Sequence, residues 1–148
     1  NANVEAEGNH QKTPLHIAAG DAAAMRCLIE KANANAEARD KFGRTPLHFS
    51  VSKGNLSGMR YLLENVNVNV DAKDNAGEAP IHCAASLGNL DVMSYLLEKA
   101  NANDGAENNE GETPLDVATE MKHVGIINCL IAAKCDRISQ VVNRDMPS

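Results

Sequence analysis

The amino-acid sequence predicts an all-α solenoid of helix-turn-helix units joined by β-hairpin-like loops. The first observation is a tetrapeptide that occurs four times: Thr13-Pro14-Leu15-His16, Thr45-Pro46-Leu47-His48, Ala79-Pro80-Ile81-His82 and Thr113-Pro114-Leu115-Asp116. Its prolines lie 32, 34 and 34 residues apart. The second is a matching column of Leu28-Ile29, Leu62-Leu63, Leu96-Leu97 and Leu130-Ile131. The third is Gly43, Gly77 and Gly111, each two residues before the tetrapeptide. Such a period marks a stacked array: one unit cannot bury its apolar stripe alone, but stacked neighbours can.

Each element follows from local chemistry. Threonine before proline is a helix start, because the hydroxyl caps and proline at the first helical position has no N–H to leave unpaired. The first helix of a unit is short, as in Pro46 to Ser52. Gly54-Asn55 and Gly88-Asn89 break it, and each asparagine can cap the second helix. That helix carries apolar residues at helical spacing: Leu56, Met59, Leu62 and Leu63, then Leu90, Met93, Leu96 and Leu97. An extended arm such as Asn67-Val68-Asn69 leads to the turn residues Asp74-Asn75-Ala76-Gly77. In the first unit Ala18-Ala19-Gly20-Asp21 is two residues short, so Asp21 caps the second helix directly and the turn is tighter.

Composition narrows the function. The chain has 148 residues, 43% apolar and 3% aromatic without tryptophan, and net charge −6. The acidic balance argues against a nucleic-acid partner and against an anionic membrane surface. No apolar run reaches a membrane span of about 20 residues. Asn1-Ala2-Asn3-Val4 is not a signal peptide. Cys27, Cys83, Cys129 and Cys135 show neither C-x-x-C nor zinc spacing. They read as small core residues in a reducing compartment, cytoplasmic or nuclear.

These residues resemble the ankyrin repeats, over roughly residues 1–135. The resemblance implies an L-shaped stack whose concave face binds another protein or peptide, without enzymatic activity, as a monomer. It also implies a structural hydrogen-bond role for Thr13, His16, Thr45, His48, His82 and Thr113. The family's contacts come mainly from hairpin tips and the exposed side of the first helix. Here those positions are Asn9, His10 and Lys12; Lys41, Phe42, Arg44, Ser52 and Lys53; Asn75, Ala76, Glu78, Ser86 and Leu87; Asn109, Glu110, Glu112, Glu120 and Met121. The first half is basic and the second acidic, with Phe42, Leu87 and Met121 as solvent-facing apolar groups and Phe42 the one aromatic among them. The alternative is an interaction or regulatory domain of a larger protein, such as a kinase, channel or ubiquitin-pathway factor.

The departures carry their own expectations. The family period is about 33 residues, so the 34-residue units hold one extra. Asn33, Asn67 and Asn101 stand one step beyond the family's terminating glycine. The second helix is therefore expected to run one residue further and end on a left-handed asparagine. The units are expected at 13–44, 45–78, 79–112 and 113–135, after a hairpin remnant at 1–12. Asn1-Ala2-Asn3 aligns with Asn33-Ala34-Asn35, so the chain reads as cut from a longer array. Ile17, Met25 and Leu28 should then lack full cover. Residues 136–148 read as a cap helix, through Ile138, Val141 and Val142, with a frayed tail from Asn143 to Ser148.

No catalytic constellation, cofactor or metal is expected. His16, His48 and His82 repeat one layer apart, roughly 8–10 Å, too far to share a metal. His10 and His123 have no triad partner. No phosphate-binding glycine loop is present. In some ankyrin repeats a hairpin asparagine is hydroxylated; the matching positions here are Glu5, Glu37, Asp71 and Gly105, so that modification is not expected.

Overall fold

The computed structural model describes residues 9–145, so residues 1–8 of the expected hairpin remnant, with Glu5, and residues 146–148 of the expected tail lie outside the described part. Eight helices and no strand occur among the described residues: α1 (Pro14–Ile17), α2 (Ala22–Glu30), α3 (Pro46–Ser52), α4 (Leu56–Tyr61), α5 (Pro80–Leu87), α6 (Leu90–Glu98), α7 (Pro114–Glu120) and α8 (Val124–Asp145). α1, α3, α5 and α7 stack in one row, while α2 packs on α4 and α6 on α8 in a second. The core lies between the rows. Leu15, Leu47 and Ile81 fill it from the first, and Met25, Met59, Met93 and Ile126 from the second.

The helix starts form as the sequence suggests for the second row. Asn55 accepts from Gly58 N–H, Asn89 from Val92 N–H, and Asp21 from the N–H groups of Ala23 and Ala24. The shortened first unit compresses α1 to four residues followed by a 3-10 turn at Ala18–Gly20. The compression leaves carbonyls with no helical partner, and the second unit supplies donors. Lys53 Nζ reaches Ile17 O at 3.0 Å, and Asn55 Nδ2 reaches Ala19 O at 2.8 Å.

The extra residue of the longer units is absorbed differently from the expectation. α2 and α6 stop at Glu30 and Glu98. The closing bonds then span six residues, from Ala34 N–H to Leu28 O, Val68 to Leu62 and Ala102 to Leu96. Asn33, Asn67 and Asn101 sit in the left-handed region at φ 56°, 65° and 52°. The inserted residue widens the terminal turn, and in the second unit it produces a full π turn at Leu62–Val66. A wide turn keeps the chain's exit in register where one further α-helical residue would rotate it by about 100°.

The ends also differ from expectation. Met25 is completely buried, because it faces the second unit, where Ser50, Asn55 and Gly58 lie against it. Ile17 is exposed. There is no separate cap helix: α8 continues unbroken through Asp145, so Asn143 to Asp145 are helical and not frayed. Ile138, Val141 and Val142 face solvent rather than covering the core. Arg137 holds this stretch by an ion pair to Asp104, a buried carboxylate in the preceding loop. The cysteines are not uniformly core: Cys27 and Cys135 are exposed, because α2 turns Cys27 to its outer side and Cys135 lies on the projecting part of α8.

Candidate functional site

Three hydrogen-bond ladders run along the stack from unit to unit. The innermost is built from the tetrapeptide. Thr13 N–H donates to His16 Nδ1 at 3.0 Å, so Nδ1 is unprotonated and Nε2–H donates to Arg44 O of the next unit at 2.9 Å. His48 repeats this with Thr45 N–H and Glu78 O, and His82 with Ala79 N–H and Glu112 O. The threonine hydroxyls do not cap as the sequence suggests. Those of Thr13 and Thr45 lie 2.9 Å from the histidine Nδ1 and donate to it. Thr113 alone accepts from a helix N–H, that of Asp116, at 3.3 Å, and donates in turn to the Asp116 carboxylate. Burial pushes His16 and His48 below the usual imidazole value, with the bonds to Arg44 O and Glu78 O opposing it.

The second ladder joins the hairpin tips. Asp40 accepts from the N–H groups of Phe42 and Arg44, and Asp74 and Asn108 close the next two turns in the same way. Gly43, Gly77 and Gly111 complete them at φ 77°, 77° and 82°. Each tip bonds the next: Lys41 N–H to His10 O, Asn75 to Phe42 O and Asn109 to Ala76 O. The third ladder was not read from the sequence. Glu37 accepts from Asn69 N–H at 2.7 Å and Asp71 from Asn103 N–H at 2.9 Å. The acidic column Glu37–Asp71 was its visible signal.

The expected contact residues gather unevenly. Phe42, Arg44, Asn75 and Glu78 line one open depression of about 510 Å³ with Ser52, Asp74, Ala76 and Cys83. Burial pushes the Cys83 thiol up to about 12, leaving it unreactive. Phe42 is 45% exposed, with the His10 ring 5.6 Å away and the Lys41 and Arg44 cations 5.9 and 4.9 Å from its centroid. A second ring, outside the expected contacts and outside the lining of the depression, stands near Arg44. Phe49, half-buried, meets Arg44 at 4.7 Å and Lys12 at 5.2 Å. It is missed in the sequence because it follows the buried His48 directly and reads as core. Lys53 is tied to Ile17 O. Leu87 and Met121 are 52% and 49% exposed at the ends of α5 and α7, outside the depression. Asn109, Glu110 and Glu112 lie in the fourth hairpin, also outside it.

The charges divide by position. Lys12, Lys41 and Arg44 lie in the first two hairpins; Asp74, Glu78, Glu110 and Glu112 lie in the next two, with Glu120 at the end of α7. Arg44 pairs with Asp40 at 2.8 Å. Burial would raise the Asp40 carboxyl, but the bonds from Arg44 and Phe42 outweigh it and hold it low. Glu78 moves the other way, raised by burial and then by the neighbouring Asp74, Glu112 and Glu110. Among the described residues no three His, Cys, Asp or Glu side chains converge as a metal site, and no helix is long and apolar enough to cross a membrane.

The family model of ankyrin repeats, three copies long, matches residues 1–74 and again residues 66–140. The chain belongs to the ankyrin-repeat family. Ankyrin repeats are in general protein–protein interaction modules and are generally non-enzymatic. No curated protein matches the chain.

Proposed function

We propose that this ankyrin array is a non-enzymatic binding module that holds a segment of a partner protein along its concave face. The observation that carries the reading is the open depression lined by Phe42 and Cys83 together with the charged Arg44 and Glu78. An aromatic side chain nearly half exposed, fixed by flanking cations, is a binding anchor held ready at little ordering cost. The ladders fix the backbone beneath it. The division of charge orients the partner: its acidic end meets the first two hairpins and its basic end the next two. Rim charges of this kind act chiefly on association rate and orientation.

The test is selection of binding peptides from a random library, followed by amide-shift mapping and binding kinetics. Phe42→Ala should weaken binding by about 2 kcal/mol with an almost unchanged melt. Reversing Lys41 to glutamate should slow association and flatten its salt dependence. Shifts confined to the outer sides of α2, α4 and α6, with Phe42→Ala binding as tightly as the parent, would sink the reading.

A further inference from the structure

We infer that the basic end of the groove is a subsite for a phosphorylated side chain of the partner, an inference that rests on the concave face being the binding site. Two rings organise it. The Arg44 guanidinium lies close to both Phe42 and Phe49, 4.9 and 4.7 Å from their centroids. Lys12 Nζ stands over Phe49 at 5.2 Å and Lys41 Nζ over Phe42 at 5.9 Å. Neither ammonium makes a hydrogen bond or ion pair among the described residues, whereas Lys53 and Lys73 are bonded to carbonyls of adjacent units. Lys12 Nζ therefore lies within about 10 Å of the guanidinium and Lys41 Nζ within about 11 Å, each over its own ring.

The charge count chooses the ligand. Asp40 offsets Arg44, at 2.8 Å. That leaves the ammonium groups of Lys12 and Lys41 without a bonded counter-charge, while Asp74 and Glu78 line the depression with Arg44. A single carboxylate would answer one ammonium. A phosphate monoester carries about −1.5 to −2 at neutral pH and three acceptor oxygens, so its charge offsets both ammonium groups where a carboxylate offsets one. The rings hold the lysines in place through cation–π contact, so less side-chain freedom is lost when the anion arrives. The rings also offer an apolar floor to the residues flanking the phosphate. Two hairpins beyond Lys41 and Arg44 stand Glu110 and Glu112, which repel such a group, so the phosphate sits at the basic end.

Two capped tripeptides, Ala-phosphoserine-Ala and Ala-Glu-Ala, are titrated into the intact chain at low salt and followed by amide shifts. The phosphopeptide is expected to perturb Lys12, Lys41 and Phe49 with a dissociation constant at least tenfold below that of the glutamate peptide. Lys12→Gln with Lys41→Gln, both on side chains without structural bonds, should abolish that tenfold preference and leave the melt unchanged. Equal affinity for the two probes overturns the inference, as does a preference that survives the double substitution or shifts centred on the lysines of other surfaces. Inorganic phosphate or a short single-stranded RNA binding the patch as tightly as the phosphopeptide also overturns it, since the site would then read any phosphate. Failure of the groove reading itself looks different: library-selected peptides then shift α2, α4 and α6. Failure of this inference alone leaves those peptides in the groove and only the phosphate preference missing.

Discussion

At the residue scale, position 79 shows how one hydroxyl tunes the stack. The Thr13 and Thr45 hydroxyls donate to the Nδ1 of His16 and His48, whose Nε2 then reaches the next unit at 2.9 Å in both cases. In the third unit Ala79 offers only its N–H, and the His82 Nε2 bond to Glu112 O is 3.2 Å. Ala79 is completely buried, but Thr45 occupies the same place in its own unit at 1% exposure, so a threonine is accommodated there. Ala79→Thr should therefore raise stability by about 1 kcal/mol through one added hydrogen bond to the ring. The urea midpoint should rise with an unchanged m-value. A neutral result would mean that His82 is already fixed by its two existing bonds.

At the element scale, the hairpin tips are spaced by glycine for two separate reasons, and one substitution series separates them. A Cβ on Gly43 would come within 2.9 Å of Asn75 N, and one on Gly77 within 2.7 Å of Asn109 N. Gly111 has the same left-handed backbone but nothing within 4 Å. Gly111→Ala should cost about 1 kcal/mol, the strain of a left-handed non-glycine residue. Gly43→Ala and Gly77→Ala should cost about 2 kcal/mol more, because the next hairpin must move. Equal losses in urea melts at all three sites would show that the tips do not press on one another. The glycine column was legible in the sequence, as were the proline starts and the Asn and Asp caps, because each acts through residues a few positions away. The third ladder and the length of α8 were not, since Glu37 meets Asn69, and Asp104 meets Arg137, across more than thirty positions. Asp104 stands where the earlier units have Ala36 and Val70. Asp104→Val should keep that loop packed while releasing Arg137. Hydrogen exchange should then quicken in residues 138–145 and stay slow in α6. Unchanged protection at the end of α8 would show that the helix holds itself without the ion pair.

For the whole molecule, the histidine ladder makes cohesion between units a function of pH. His16 and His48 have folded pKa values lowered below the ordinary 6.5. Between the folded and unfolded values the unfolded chain binds more protons, so stability rises with pH there. Their contribution is complete above about pH 6.5 and is lost as pH falls below it, because a proton on Nδ1 would face the Thr13 or Thr45 N–H that it now accepts from. Asp40, held low by Arg44, adds a loss that begins only near its ordinary 3.8. Glu78 is raised instead, so its ionisation costs stability and its protonation returns some as pH falls through its folded value, above the ordinary 4.5. The histidine loss therefore begins below about pH 6.5, ahead of the Asp40 loss that begins near 3.8. Urea midpoints measured at pH 7.5, 6.5 and 5.5 should fall most over the last interval. His16→Asn with His48→Asn should lower stability at pH 7.5 and flatten that interval. A parent midpoint that is level from pH 7.5 to 5.5 would mean the ladder accepts the proton without breaking, and that the stack is held by its apolar layers alone.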